Sequence, residues 1–232
     1  MPSTPHVEDG RNRVLVVIPA FNEASHVPEL LDRIRKVHPL EDVLIVDDGS
    51  TDETASLAEQ AGVRVLRNPQ NLGKGASLYR GFQWALQHGY DGVITMDADL
   101  QHPPELIPRF LEKARMGYDV VVGSRFHDFG EMPWDRYFSN RSTTLVLSLL
   151  THTRLQDTQS GYRYLSARFL RVFRPTTRRF DFESEVLYQA ALKGFKIGYV
   201  PMATVYGQEE SSIHKVWDTV RFILLAIRLL WR

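Results

Sequence analysis

The chain has no cysteine. Disulfides, thiol nucleophiles and cysteine-based metal centres are therefore excluded. It has no net charge either, with 28 Lys and Arg against 28 Asp and Glu. Nor does it contain an uninterrupted apolar run of membrane-spanning length. The most apolar stretch, Val216 to Trp231, is broken by Asp218, Arg221 and Arg228. Its longest clean run, Phe222 to Ile227, falls far below the roughly 20 residues that cross a bilayer. The first residues, MPSTPHVEDGRNR, lack the apolar centre of a secretion signal. These absences predict a cytoplasmic protein that touches a membrane, if at all, from its surface.

What is present reads as one globular unit. The 232 residues are 43% hydrophobic and 24% charged, which excludes fibrous and disordered classes. The zero net charge hides an asymmetry: the first 116 residues hold 12 basic and 17 acidic groups. The remaining residues reverse that balance, with 16 basic and 11 acidic groups. The stretch from Asp135 to Arg179 alone carries nine Arg against two Asp. A solvated face is the simplest source of such a run. Nucleic-acid binding is not expected, because no recognised motif or basic–aromatic interleaving accompanies it.

Residues 1–12 read as a disordered tail. Beyond them, short β-branched and aliphatic runs alternate with helical patterns. Strands are expected at Val14–Ile18, Val43–Val46, Val63–Leu66, Val93–Met96 and Val120–Gly123. Helices are expected at Pro28–Val37, from a Ser50–Glu53 capping box to about Ala61, at Gly75–Gln87 and at Pro104–Ala114. Fully apolar strands separated by helices imply βαβ units and a mostly parallel sheet covered on both faces. Ligands of such sheets sit at the carboxyl ends of the strands.

Three of those ends are acidic. The first strand runs into Pro19-Ala20-Phe21-Asn22-Glu23, the second into Asp47-Asp48-Gly49-Ser50, the fourth into Asp97-Ala98-Asp99 with Gln101 beyond. Crowded carboxylates need a cation or a set of donors to offset their repulsion. Two on one side of an extended chain suit one hard divalent ion, with phosphate oxygens and water completing its shell. A lone D-x-D is uninformative and reads equally as a turn or helix cap. Its place after a buried strand, beside two other acidic ends, favours a site. Asp48 at a switch point suits a ribose or base donor group. Asn71-Leu72-Gly73-Lys74-Gly75 lacks P-loop spacing and is either a glycine turn or a phosphate contact. The eight His show no metal-ligand spacing, and His102 is expected behind the site or facing solvent.

Pro-Ala-Phe-Asn-Glu (19–23), Val-Asp-Asp-Gly-Ser-Thr-Asp (46–52), Asn-Leu-Gly-Lys-Gly (71–75), Met-Asp-Ala-Asp-Leu-Gln-His-Pro (96–103) and Gly-Ser-Arg (123–125) follow in this order. Together they resemble the family-2 glycosyltransferases of GT-A fold, and within them the polyprenyl-phosphate (dolichyl-phosphate) mannose and glucose synthases. The resemblance continues through Asn140-Arg141-Ser142, Asp157-Thr158-Gln159-Ser160-Gly161-Tyr162 and Phe180-Asp181-Phe182-Glu183-Ser184-Glu185, and covers roughly residues 13–231. It implies that Pro19, Phe21, Glu23, Val46, Asp48 and Ala98 contact the donor. It further implies that Asp97, Asp99 and Gln101 hold Mg²⁺ or Mn²⁺, and that Lys74, Arg125 and Arg141 meet phosphates. Asp99, Arg125 and Arg141 are the expected catalytic set. Residues 13–125 would form the nucleotide-sugar half and 126–215 the acceptor half of a single domain.

Two departures stand out. Phe21 occupies a position where the family usually has Tyr. The mannose synthases carry a basic pair around a glycine, where this chain has Thr204 and Glu210 about Gly207. The donor therefore stays open between GDP-mannose and a UDP-hexose.

The second half lacks an obvious general base and is rich in Arg. A lipid phosphate needs no base, because its second ionisation lies near pH 6. Asp157, Glu183 and Glu185 are the candidates if the acceptor is a hydroxyl instead. A short apolar helix after Arg141, ending near Leu150, and the C-terminal segment 216–232 are expected at a membrane surface. In the latter, Asp218, Arg221, Arg228 and Arg232 share a sector roughly 80° wide, flanked by Trp217 and Trp231. The same segment also fits a dimer interface, and a separate membrane partner is a further expectation. A non-catalytic sugar-nucleotide module and a nucleotidyltransferase are the alternatives from other classes. The second would place a glycine-rich, arginine-containing loop where Pro19–Glu23 stands.

Overall fold

The computed structural model describes residues 13–125, 134–176 and 181–202, with the main chain alone for 134–140 and 181. The expected tail (1–12), the Thr204–Glu210 stretch and the C-terminal helix (216–232) lie outside the described residues.

Seven strands form one sheet: β1 (Val14–Ala20), β2 (Val43–Asp47), β3 (Arg64–Arg67), β4 (Gly92–Thr95), β5 (Val120–Ser124), β6 (Arg163–Ser166) and β7 (Ile197–Pro201). Their order is β3-β2-β1-β4-β6-β5-β7. β6 runs antiparallel to β4 and β5, and the other neighbours pair in parallel. The helices are α1 (Val27–Arg35), α2 (Thr54–Gln60), α3 (Lys74–Gln87), α4 (Ile107–Arg115), α5 (Trp134–Thr151), the short α6 (Ala167–Leu170) and α7 (Asp181–Leu192). Among the described residues no helix is long and apolar enough to cross a membrane.

The fully apolar strands have two buried faces, and each face has its own core. Val14, Val16 and Ile18 point with Val43 and Ile45 toward Leu30, Leu31 and Ile34 of α1 and Phe110 of α4. Leu15, Val17, Leu44 and Val46 point the other way, toward Leu78 and Phe82 of α3 and Phe182, Val186 and Leu187 of α7. Strand alternation places these sets on opposite sides. Gly81 lets α3 approach β1 closely, since a Cβ there would collide with the side chain of Val17. That approach fixes the N-terminal end of α3, and Lys74 with it, at the edge of the sheet.

β1 lies between β2 and β4, so the chain order reverses there and the connections diverge. A crevice opens at such a reversal, above the carboxyl ends of the strands. Its floor is cross-linked. Asn22, held at a positive φ of 57°, accepts the Thr51 N–H at 2.9 Å, and its own N–H donates to Ser50 Oγ at 2.9 Å. The Glu23 N–H donates to Thr54 Oγ1 at 2.8 Å.

The Ser50–Glu53 capping box is not formed. The Ser50 hydroxyl is taken by Asn22, and Glu53 itself occupies the cap position before Thr54. Asp52 supplies the local acceptor instead, receiving the Thr54 N–H at 3.0 Å. β6 and β7 add two strands to the five expected. β6 escapes a pattern-based reading because its residues, Arg163-Tyr164-Leu165-Ser166, include a buried charge.

Candidate active site

The carboxylates converge around one cation. Lys74, the first residue of α3, places Nζ 2.7 Å from Asp97 Oδ1 and 3.1 Å from Glu183 Oε1. Asp97 follows β4 and Glu183 lies in the first turn of α7, so three separate elements meet at this ammonium. Burial alone would lower the Lys74 pKa, but the two carboxylates outweigh it and hold the ammonium above the usual lysine range. Burial would likewise raise Asp97, and Lys74 overrides it to hold Asp97 below the usual carboxylate range. Among the described residues Asp99 makes no ion pair, and Lys74 offsets its burial only in part. Burial and the neighbouring Asp97 charge push its carboxyl up to about 6, with Glu23 adding to the effect. The same pair of oxygen donors would favour a divalent cation, which removes their repulsion.

The Asp97–Asp99 segment is a bend beyond β4 rather than an extended continuation of it. Asp99 Oδ1 accepts the Gln101 N–H at 3.0 Å, and Leu100 takes a positive φ of 63°. This loop is braced from behind by His102, which is buried. Its Nδ1 accepts the Asp97 N–H at 2.8 Å, its ring stacks on Tyr162, and burial pushes its pKa down to about 4. Behind the ion pair sits Gly161, tied by its carbonyl to Thr95 Oγ1 at 2.7 Å. A Cβ on Gly161 would stand 2.9 Å from Lys74 Nζ and 3.3 Å from Asp97 Oδ2.

Asp48 is buried and heavily engaged. Its Oδ1 accepts from Asn68 Nδ2 at 2.7 Å and the Leu72 N–H at 2.9 Å, and its Oδ2 accepts the Gly73 N–H at 2.8 Å. Asp48 therefore shapes the 68–73 loop that launches α3, which leaves about one of its roughly four lone-pair directions for a ligand. Phe21 is exposed at the crevice mouth, and Pro19 and Glu23 are half-buried. Glu23 also pairs with His26 Nδ1 at 2.7 Å. Val46 and Ala98, expected to contact the donor, are both buried in the core.

Just beyond β5, Arg125 is clamped by Asp157 of the second half. Nε and Nη2 each donate to a different carboxylate oxygen at 2.8 Å, and the Arg125 N–H donates to Oδ2 at 3.1 Å. This fork fixes the guanidinium plane. Arg163 is wholly buried. It donates to the main-chain carbonyls of Ser160 at 2.7 Å and Thr158 at 2.9 Å, and to that of Glu183. Burial lowers it to about 10, so it stays charged at neutral pH and ties the 158–160 loop to the start of α7. Arg141 lies exposed on α5. The three carboxylates named as possible bases are all occupied. Asp157 holds Arg125, Glu183 holds Lys74, and Glu185 accepts the Thr176 N–H at 2.8 Å and its hydroxyl at 2.7 Å.

The seven-stranded, mostly parallel sheet with helices on both faces is a GT-A fold. The chain belongs to glycosyl transferase family 2, whose model matches residues 15–197. It is 35% identical over 204 residues to an undecaprenyl-phosphate mannosyltransferase of Micrococcus luteus, covering 83% of this chain and 84% of the relative. It is 29% identical over 216 residues to a polyprenol monophosphomannose synthase of Mycolicibacterium smegmatis, covering 88% and 81%. A similar solved structure is glucosyl-3-phosphoglycerate synthase from Mycobacterium tuberculosis, crystallised with Mn²⁺, UDP-glucose and phosphoglyceric acid. Its TM-score is 0.71 at 21% identity, covering 93% of this chain and 79% of that one.

The packing around Lys74 can be probed by Gly161→Ala, in which the new methyl displaces the flexible end of the lysine rather than main chain. Stability in urea should change by less than about 1 kcal/mol. Sugar transfer should fall about a hundredfold, the scale of a small misplacement at a reacting centre; unchanged transfer would contradict the placement of Lys74. A second expectation concerns pH. His102 has its folded pKa lowered to about 4 from an ordinary 6.5, so the unfolded chain binds its proton first. Its contribution to stability is present above pH 6.5 and is lost as pH falls toward 4. Asp99, raised to about 6, acts in the opposite direction over much of the same range. The wild-type profile therefore conceals both. His102→Asn keeps an acceptor and does not titrate, so its stability relative to wild type should rise as pH falls from 6.5 to 4; a constant difference in chemical denaturation would contradict this.

Proposed function

We propose that the protein transfers a hexose, in a single inverting displacement, from a nucleotide sugar to a polyprenyl phosphate at the cytoplasmic face of a membrane. The observation that carries this reading is the pairing of Asp97 and Asp99 at the switch point beside Lys74. Polyprenyl phosphate enters through the two relatives, each matched over most of its length, one named for undecaprenyl phosphate and the other for polyprenol monophosphomannose.

Asp97, Asp99 and Gln101 would hold Mg²⁺ or Mn²⁺, for which an all-oxygen donor set is suitable. The bound ion would offset charge developing on the departing diphosphate. Phe21 at the crevice mouth suits stacking on the base, and Asp48 and Glu23 suit ribose or base donors. A lipid phosphate oxygen attacks the anomeric carbon. The bond from that carbon to the diphosphate oxygen breaks, and its electron pair leaves with the nucleoside diphosphate. No proton has to move, because the attacking phosphate is already ionised. The engagement of Asp157, Glu183 and Glu185 in other contacts agrees with an acceptor that needs no base. Arg125, oriented by Asp157, and Arg141 supply positive charge for phosphate on the acceptor side.

α5 gives the lipid a place to arrive. Thr143, Thr144, Leu147 and Thr151 are buried on one side of it. Leu145 and Leu149 are 60% and 66% exposed on the other, one and two turns beyond Arg141, with Val146 beside them at 37%. An apolar stripe with an arginine at its end suits insertion below lipid headgroups.

The test is a screen of the purified protein with Mn²⁺, a panel of GDP- and UDP-sugars, and polyprenyl phosphate. One donor should give a lipid-linked sugar, and Asp99→Asn should lower that rate by about a hundredfold or more. Transfer to a hydroxyl acceptor with no lipid-linked product from any donor would overturn the reading.

A further inference from the structure

Glu183 belongs to α7, in the second half of the chain, yet its carboxylate meets a lysine of the first half. Lys74 Nζ lies 3.1 Å from Glu183 Oε1 and 2.7 Å from Asp97 Oδ1. The ammonium thus has two anionic neighbours, and only Asp97 is on the acidic loop. A divalent cation at Asp97 and Asp99 competes with Lys74 for the Asp97 carboxylate. A lysine displaced without a partner would be an unpaired charge in a largely desolvated crevice, which is costly. Resting on the reading that Asp97 and Asp99 hold a divalent ion, we propose that Glu183 is a positioning residue that takes over the Lys74 ammonium when the ion occupies Asp97.

The surroundings suit that exchange. Glu183 is already in contact, so the ammonium only shifts the end of a flexible side chain and never loses its counter-charge. The receiving carboxylate is held firmly. Its side chain is 8% exposed, its own carbonyl is bound by the buried Arg163 guanidinium, and its neighbours Phe182 and Val186 are core residues. The space is kept open by Gly161, whose missing Cβ would otherwise stand 2.9 Å from Nζ. The Glu183 charge also offsets the burial of the Arg163 guanidinium, so this carboxylate faces two cations, of which only Lys74 borders the acidic loop.

Mn²⁺ binding to the full-length protein, measured calorimetrically without donor, tests this through a double-mutant cycle. Lys74→Met removes the competitor and should strengthen Mn²⁺ binding. Glu183→Gln should weaken binding about tenfold while Lys74 is present and less than about twofold in the Lys74→Met background, the scale of coupling between contacting residues. Glu183→Asp, which keeps the charge, should restore most of the affinity. An equal loss from Glu183→Gln in both backgrounds would mean that Glu183 acts by its own charge or on the fold, and would overturn the proposal. So would weaker binding by Lys74→Met. Failure of the wild-type protein to bind Mn²⁺ would instead overturn the metal reading itself, and this role with it.

Discussion

Lys74 carries a single positive charge between two carboxylates, Asp97 at 2.7 Å and Glu183 at 3.1 Å, at the edge of a sheet whose core is apolar on both faces. Each of these three groups would be expensive to bury alone, and each is tolerated because of the others. The arrangement needs three elements to end at one place. α3 must begin there, which Asp48 secures by binding the 72–73 amides. β4 must release its acidic loop there, which His102 braces from beneath. α7 must begin there, which Arg163 secures through main-chain carbonyls. Asp99 lies beside this set, which holds one positive charge against two negative ones, and its carboxyl is raised to about 6. That residual negative charge would favour a further cation in the crevice.

The two halves of the chain meet at that lysine. The first supplies the switch point, the acidic loop and the loop after β2. The second supplies the counter-carboxylate, the glycine that leaves room, and Asp157, which fixes the orientation of Arg125. The antiparallel β6 inserts the second half into the middle of the sheet, beside β4. It thereby brings Gly161 against Lys74 and Asp97. A wholly parallel sheet with the second half appended at its edge would not make this contact.

Much of the fold is written in local patterns. Aliphatic runs such as Val14–Ile18 and Val43–Val46 are buried strands wherever they fall, and the intervening helices begin and end within a few residues of their expected bounds. The acidic strand ends are legible for a related reason, since carboxylates gathered where buried strands end repel one another until a cation or donors offset them. The rest depends on distant contacts. Arg163 and Glu183 are charges within buried elements, and periodicity gives no hint of which partner satisfies them. Asp157 and Glu185 have the residue type of a general base, and only their neighbours, Arg125 and Thr176, reveal them as structural. Ser50 and Glu53 have the spacing of a capping box, yet the Ser50 hydroxyl is drawn away by Asn22 across 28 positions of sequence. Val46 and Ala98 belong to motifs of the expected donor site, yet both are buried in the core.

The charge asymmetry of the sequence takes physical form here. Acidic strand ends in the first half gather at the crevice. On the proposed reading, Arg125 and Arg141 would meet an anionic acceptor. The central claim is that a divalent ion joins Asp97 and Asp99 with the donor diphosphate. It is tested most directly by a crystal structure with Mn²⁺ and a nucleotide sugar, using anomalous scattering to locate the metal. One strong peak ligated by Asp97 and Asp99 is expected, with Lys74 moved off Asp97. Nucleotide in the crevice with no metal at those carboxylates, and Lys74 still bound to Asp97, would contradict it.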